Sequence, residues 1–133
     1  MKSLRLPHFR LRVRTVLRAV AAVALLLSAW DTGRRWIHYR HLAEYHTAYE
    51  RDCLNTGQDC EVSYAGLLER SRHAADVGDI AGARAYVVNA ADMGQMVELQ
   101  HRYSVYHAGL KSKYHRAASW PWLRVEPDPP QPN

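Results

Sequence analysis

Acidic residues are absent from the first 30 positions of this 133-residue chain, and only one of its six prolines, Pro7, precedes Trp120. Cysteine is scarce, with Cys53 and Cys60 alone, and neither has a second cysteine or a histidine at zinc-ligand spacing, which excludes a zinc-finger type of site. No stretch alternates apolar and polar residues over strand length, and β-branched residues are sparse after Trp30, so a sheet is excluded and the expected fold class is all-α. The serines Ser63, Ser71 and Ser104 lack a strained, Gly-flanked turn, and no catalytic residue is expected.

What fills the acid-free N-terminus is a run of cations, Lys2, Arg5, Arg10, Arg12, Arg14 and Arg18, followed by the uncharged apolar run Ala19–Trp30. Twelve residues span only about 18 Å, short of the roughly 30 Å hydrocarbon core, so a spanning helix must recruit residues from Val13 onward. Arg14 and Arg18 then snorkel to the headgroups, Ala19, Leu25, Leu26 and Leu27 fill the span, and Trp30 sits with Trp36 at the far interface. The same run suits the apolar region of a cleaved signal peptide. Cleavage needs small residues at −1 and −3, but Ala29 is paired with Leu27 and Ser28 with Leu26, while Ala24 with Ala22 would cut inside the run, which favours an uncleaved signal anchor. The charge bias predicts a single-pass protein of the inner (cytoplasmic) membrane, with a cytoplasmic N-terminus and everything after the span exported.

The charge balance removes nucleic acid from the list of partners. Six of the 18 basic residues lie in Met1–Arg18, leaving 12 against 13 acids in Ala19–Asn133, so the exported part has no basic excess for phosphate contacts. The expected division is a basic segment 1–12, a span 13–30, an exported helical domain 31–119 and an extended tail 120–133.

Spacings of three and four among Tyr39, Leu42, Tyr45 or His46, Tyr49 and Cys53 predict a helix over Arg34–Leu54. A loop is expected from Cys53 to Cys60, with Asn55 and Gly57 as turn formers. In an exported segment the leading reading of Cys53 and Cys60 is a disulfide closing that loop, for which chain entropy gives roughly 2–2.5 kcal/mol. A second helix, about Glu61–Val77, is expected to bury Tyr64, Leu67, Leu68 and Ala75. A third follows over Ile80–Ser119, with Asp79 as N-cap and a stripe of Tyr86, Ala90, Met93, Met96 or Val97, Leu99 or Gln100, Tyr103, Tyr106, Leu110 and Tyr114. Such aromatic, thinly apolar helices pack as an antiparallel hairpin or three-helix bundle, with tyrosine rings in the seam and their hydroxyls wet.

Trp120-Pro121 ends the third helix, and the Pro-rich remainder is expected to be extended and solvated from Val125 onward. Pro127 and Pro130 have PxxP spacing, so Trp120, Trp122, Pro127, Pro129 and Pro130 form a candidate partner-binding segment; the alternative is that the tryptophans cover the end of the bundle or touch the membrane surface. Phe9–Leu17 leading into the apolar run, the Tyr-His pairs at Tyr45-His46 and Tyr106-His107, and the end Lys113–Pro130 resemble a group of short membrane-anchored proteins of planctomycete-type bacteria. The resemblance covers both ends of the chain, with the tail as its specific part and Arg124 standing where that group suggests a proline. It implies anchoring and a shared tail, and nothing catalytic.

Tyr45-His46 and Tyr106-His107 also echo each other within the chain, as if two helices present like faces to one another. Seven of the eight histidines follow the span; His38 and His41 lie one turn apart, and Glu98-Leu-Gln-His101 matches one Glu-x-x-His unit of di-iron bundles, which require two. Gly78–Ala83 with Tyr86 and Ala90 resembles the second helix of a tetratricopeptide repeat, but a single repeat cannot bury its own face. The expectation is a membrane-anchored interaction or structural component of the envelope without a cofactor, whose partners are the lipid bilayer and a protein partner or second copy. The alternative is a His-dependent metal- or haem-binding module.

Overall fold

A computed structural model describes residues 13–133; the basic segment 1–12, with Lys2, Arg5, Arg10 and Arg12, lies outside the described residues. Two helices account for most of it: α1, Val13–Asp76, and α2, Ile80–Ser119. At 1.5 Å per residue, the 64 residues of α1 extend about 96 Å and the 40 of α2 about 60 Å. The all-α expectation holds, but the span and the first two expected helices are one continuous helix, so the domain is a hairpin and not a three-helix bundle.

The reversal takes three residues. Gly78 adopts φ of +82°, a left-handed conformation that favours glycine. From it the Gly78 N–H donates to the Ala75 carbonyl at 3.1 Å, and the Asp79 N–H donates to the Ala74 carbonyl at 2.9 Å, closing α1. Asp79 opens α2 as expected, its carboxylate accepting from the Gly82 N–H at 2.9 Å. At the far end the Trp120 N–H returns to the Arg116 carbonyl, and Pro121 follows outside the helix.

The two helices meet along positions that alternate by three and four. On α1 these are Tyr39, Ala43, His46, Glu50, Cys53, Gly57, Cys60, Tyr64, Leu67, Ser71 and Ala74, all buried or half-buried except Tyr64. On α2 they are Ala83, Tyr86, Ala90, Met93, Val97, Gln100, Ser104, His107, Lys111 and Tyr114, all buried or half-buried. This is the spacing of an antiparallel coiled coil. Small residues let the backbones approach: Ala43 is fully buried, and a Cβ added at Gly57 would lie 3.6 Å from Gln100 Cβ.

That seam explains why the expected loop is helical. Cys53, Thr56, Gly57 and Cys60 form one half-buried stripe toward α2, while Leu54, Asn55, Gln58 and Asp59 face outward, so packing of the inward stripe overrides the local turn preference of Asn-Thr-Gly. Cys53 and Cys60 are free thiols. Two helical turns separate their backbones by about 10.5 Å, beyond the roughly 7 Å that a disulfide tolerates, so the expected bridge is corrected. Downstream, Ala74 is buried where Ala75 was expected.

α2 turns back along α1 only as far as the C-terminal end of the apolar run. The pairs Ser71 with Ala83, His46 with His107 and Tyr39 with Tyr114 set the register. Beyond it, α1 continues alone toward Val13. Among the described residues α1 is the one helix long and apolar enough, by length and composition, to cross a membrane, and none of that stretch is buried in the protein.

Candidate functional site

The densest cluster of polar and aromatic groups lies where the middle of the seam meets the C-terminal tail. His46 and His107 face each other from seam positions, both buried, with their Nδ1 atoms 2.9 Å apart. Two ring nitrogens at this distance require one ring to donate and the other to accept, so the rings hold complementary tautomers and share one proton between them. Burial lowers the pKa of His46, and the His107 charge lowers it further against a smaller upward pull from Asp128. Burial also lowers that of His107, opposed by Glu50.

The neighbours of the pair are stacked rings and one ion pair. Tyr114 stacks on His46 at 5.6 Å with planes 5° apart, and Tyr49 lies 5.3 Å from His107. One turn from His46 on α1, Glu50 accepts from Lys111 Nζ at 2.8 Å across the seam, with side chains 21% and 35% exposed. Polar pairs at seam positions lower stability relative to apolar ones but penalise any slip that would part them. Here they fix the register of two helices whose remaining seam positions mix small residues with tyrosines and only a few aliphatic side chains.

The tail forms a strap over this cluster. Residues 120–133 contain no helix or strand, as expected, yet the segment after Val125 is not simply solvated. Val125 packs against the core of Ala43, Leu110 and Tyr114. The Tyr114 hydroxyl donates to the Asp128 carboxylate, with 2.8 and 2.7 Å to its two oxygens, and Lys113 Nζ donates to Oδ1 at 2.6 Å. Farther along, the Tyr106 hydroxyl donates to the Pro129 carbonyl at 3.2 Å, and Arg102 reaches the Asn133 carbonyl at 3.4 Å. Burial works to raise the Asp128 carboxyl, but the hydrogen bonds from Lys113 and Tyr114 and the Lys113 charge outweigh it and hold the group below its ordinary value. Burial and the bond to Asp128 push Tyr114 up to about 12, so this seam hydroxyl is not wet but bonded to a carboxylate.

The histidines singled out for metal are not brought together: His38, His41 and His101 are exposed, and only His107 enters the seam. Among the described residues no three His, Cys, Asp or Glu side chains converge as a metal-binding group. Arg14, Arg18, Ala19, Leu25, Leu26, Leu27 and Trp30 are all exposed along the unaccompanied part of α1. Trp120, Trp122, Pro127, Pro129 and Pro130 are exposed too, but the Pro129 carbonyl is held by Tyr106 and leaves no free Pro-rich strand. Glu50, Lys111 and Asp128 were not singled out from the sequence, whereas the Tyr-His echo pointed to His46 and His107. No family model matches the chain, and neither a curated protein nor a solved structure matches it.

Proposed function

We propose that this chain is a non-catalytic envelope component: a single-pass signal anchor that displays a rigid helical hairpin on the exported side of the inner membrane, for interaction with a protein partner. One observation carries the reading. The apolar part of α1 is left exposed, with only Pro121 of the tail beside its last turns, while α2 and the rest of the tail pack against the part that follows it. A helix that leaves such a stretch bare in an otherwise polar chain needs an apolar surrounding, and lipid supplies it. The resemblance of the tail to that of short anchored proteins points the same way.

The interaction role draws on the outward faces of the hairpin, where Leu54, Val62, Val87, Val88 and Val105 are exposed beyond what the seam uses. A cell fractionation tests the anchor: the protein stays with membranes through a high-salt wash, which screens charge but leaves apolar helix buried. A mature N-terminus near Asp31, or release by salt, overturns it. A reporter fused after Asn133 that is active only outside the cytoplasm checks the orientation.

A further inference from the structure

All four tryptophans of the chain fall at one level of the molecule. Trp30 and Trp36 lie on α1 where the apolar run ends, and Trp120 and Trp122 lie just past the end of α2. The register set by Tyr39 with Tyr114 carries α2 to this same height, where Pro121 and the Ser28–Trp36 stretch of α1 line one shallow groove of about 530 Å³. These are large apolar groups left in the open: Trp30 is 70% exposed, Trp36 42%, Trp120 52%, Trp122 61% and Leu123 54%. Trp120 and Trp122 pack edge to face, 5.3 Å between centroids. Near them in the chain stand Arg34, Arg35, Arg40, Arg116 and Arg124 against Asp31, Glu44 and Glu126; Arg35 is paired with Asp31 and Arg40 with Glu44, which still leaves an excess of cations.

We infer that Trp120–Leu123 is a second membrane contact, its two indoles seated in the phospholipid headgroup layer of the same leaflet that Trp30 and Trp36 mark. The occupant is identified by three features together. Val13–Trp30 extends about 27 Å along α1, so its far end falls near the boundary of a roughly 30 Å core. Indoles partition to that boundary with the ring in the apolar edge and the N–H toward water. The surrounding guanidinium groups suit phosphate. The hairpin therefore rests on the bilayer at two points, the exit of α1 and the end of α2. This rests on the reading of Val13–Trp30 as a span and goes beyond it by assigning the tail's tryptophans to lipid and not to a protein partner.

The test uses the full-length chain, one copy per nanodisc, in phosphatidylcholine and phosphatidylglycerol with or without bromine on the acyl carbons nearest the headgroup. Two variants are compared, one keeping only Trp30 and one keeping only Trp122, the other tryptophans being replaced by Phe; circular dichroism checks that each remains helical. In brominated lipid both are expected to fall to about half their emission or less, as boundary indoles do. Quenching of Trp30 with unchanged emission from Trp122 overturns the inference and leaves the anchor standing. Shielding of Trp122 from aqueous acrylamide without bromine quenching also overturns it, in favour of a protein covering. Unchanged emission from both overturns the anchor reading and the inference with it.

Discussion

Tyr114 donates its hydroxyl to Asp128 from a buried position in the helix seam, so a single side chain belongs both to the hairpin's core and to the clasp on its tail. The same ring stacks on His46. Replacing Tyr114 by Phe keeps the ring and removes the clasp. The expected outcome is a hairpin destabilised by about 1.5–3 kcal/mol, the range for a hydrogen bond to a charged group, with the tail cleaved faster by protease while α2 stays resistant. Asp128→Asn is expected to loosen the tail to a smaller extent, since an amide oxygen still accepts.

Alkali provides a second test of the clasp. A Tyr114 hydroxyl held near 12 favours the neutral form in the folded state, so its contribution is fully present below the ordinary tyrosine value of about 10 and is lost as pH rises from there through about 12. Asp128 has the opposite sign. Its depressed carboxyl contributes above the ordinary aspartate value and loses that contribution as pH falls through its lower folded value. Tail protection, followed by hydrogen exchange or protease, is expected to fail at both extremes and to hold between them.

The histidine pair governs the mildly acidic range. Both rings have lowered pKa values, so the folded state favours neutral imidazole; the contribution is present above about 6.5 and is lost as pH falls below it. Melting temperature is expected to drop between about pH 7 and pH 5, before Asp128 titrates. Replacing both rings, His46→Leu with His107→Leu, is expected to raise the melting temperature and flatten this dependence, because two leucines at facing seam positions bury apolar area without a buried proton. His46→Leu alone is expected to destabilise, since it leaves the His107 nitrogen without its partner.

The thiols give a direct chemical check on the continuous helix. Protein unfolded without reductant is expected to show two free thiols per chain, because Cys53 and Cys60 stand two turns apart on α1. In folded protein Cys53 is expected to alkylate slowly, since burial, helped by the Asp52 charge, raises its thiol pKa. Cys53→Ala with Cys60→Ala is expected to leave the melting temperature nearly unchanged.

At the tip, Asp79→Ala removes the carboxylate that receives the Gly82 N–H and is expected to cost about 1 kcal/mol in a thermal melt. Gly78→Val places a β-branched residue at φ +82° and is expected to cost more, as the conformation itself is strained for it.

α2 was legible in the sequence to its end residues because its boundaries rest on local chemistry: Gly78 and Asp79 at one end, Trp120-Pro121 at the other. The continuity of α1 was not, because Asn55, Thr56 and Gly57 carry a strong local turn preference, and the force against it comes from α2 some 40 residues later. The seam was only half legible. Tyr39, Cys53 and Leu67 on α1 and Tyr86, Ala90, Met93, Val97, Gln100 and Tyr114 on α2 fall in the expected stripes, but most of its other positions are held by Ala, Gly, Cys, Ser, His, Glu and Lys, a repeat of position and size that leaves little trace in hydropathy. The Tyr-His echo marked the right residues and the facing of their helices, while the direct contact of the two rings depends on the length of each arm between the tip and the pair. Asp128 gave no sign, since its partners lie 14 and 15 residues back and are reached only because the tail reverses at Pro121.

The unbroken course of α1 makes the molecule a torsion bar. From Trp30 to Asp76 the helix runs about 69 Å without a joint, and α2, the strap and the polar pairs brace it along most of that length. Rotating the apolar end about its axis by one residue's worth, roughly 100°, carries every outward side chain of the tip through the same angle. On the anchored reading proposed above, a displacement too small to alter depth in the bilayer would thereby exchange which face of the hairpin meets a partner standing tens of ångströms away.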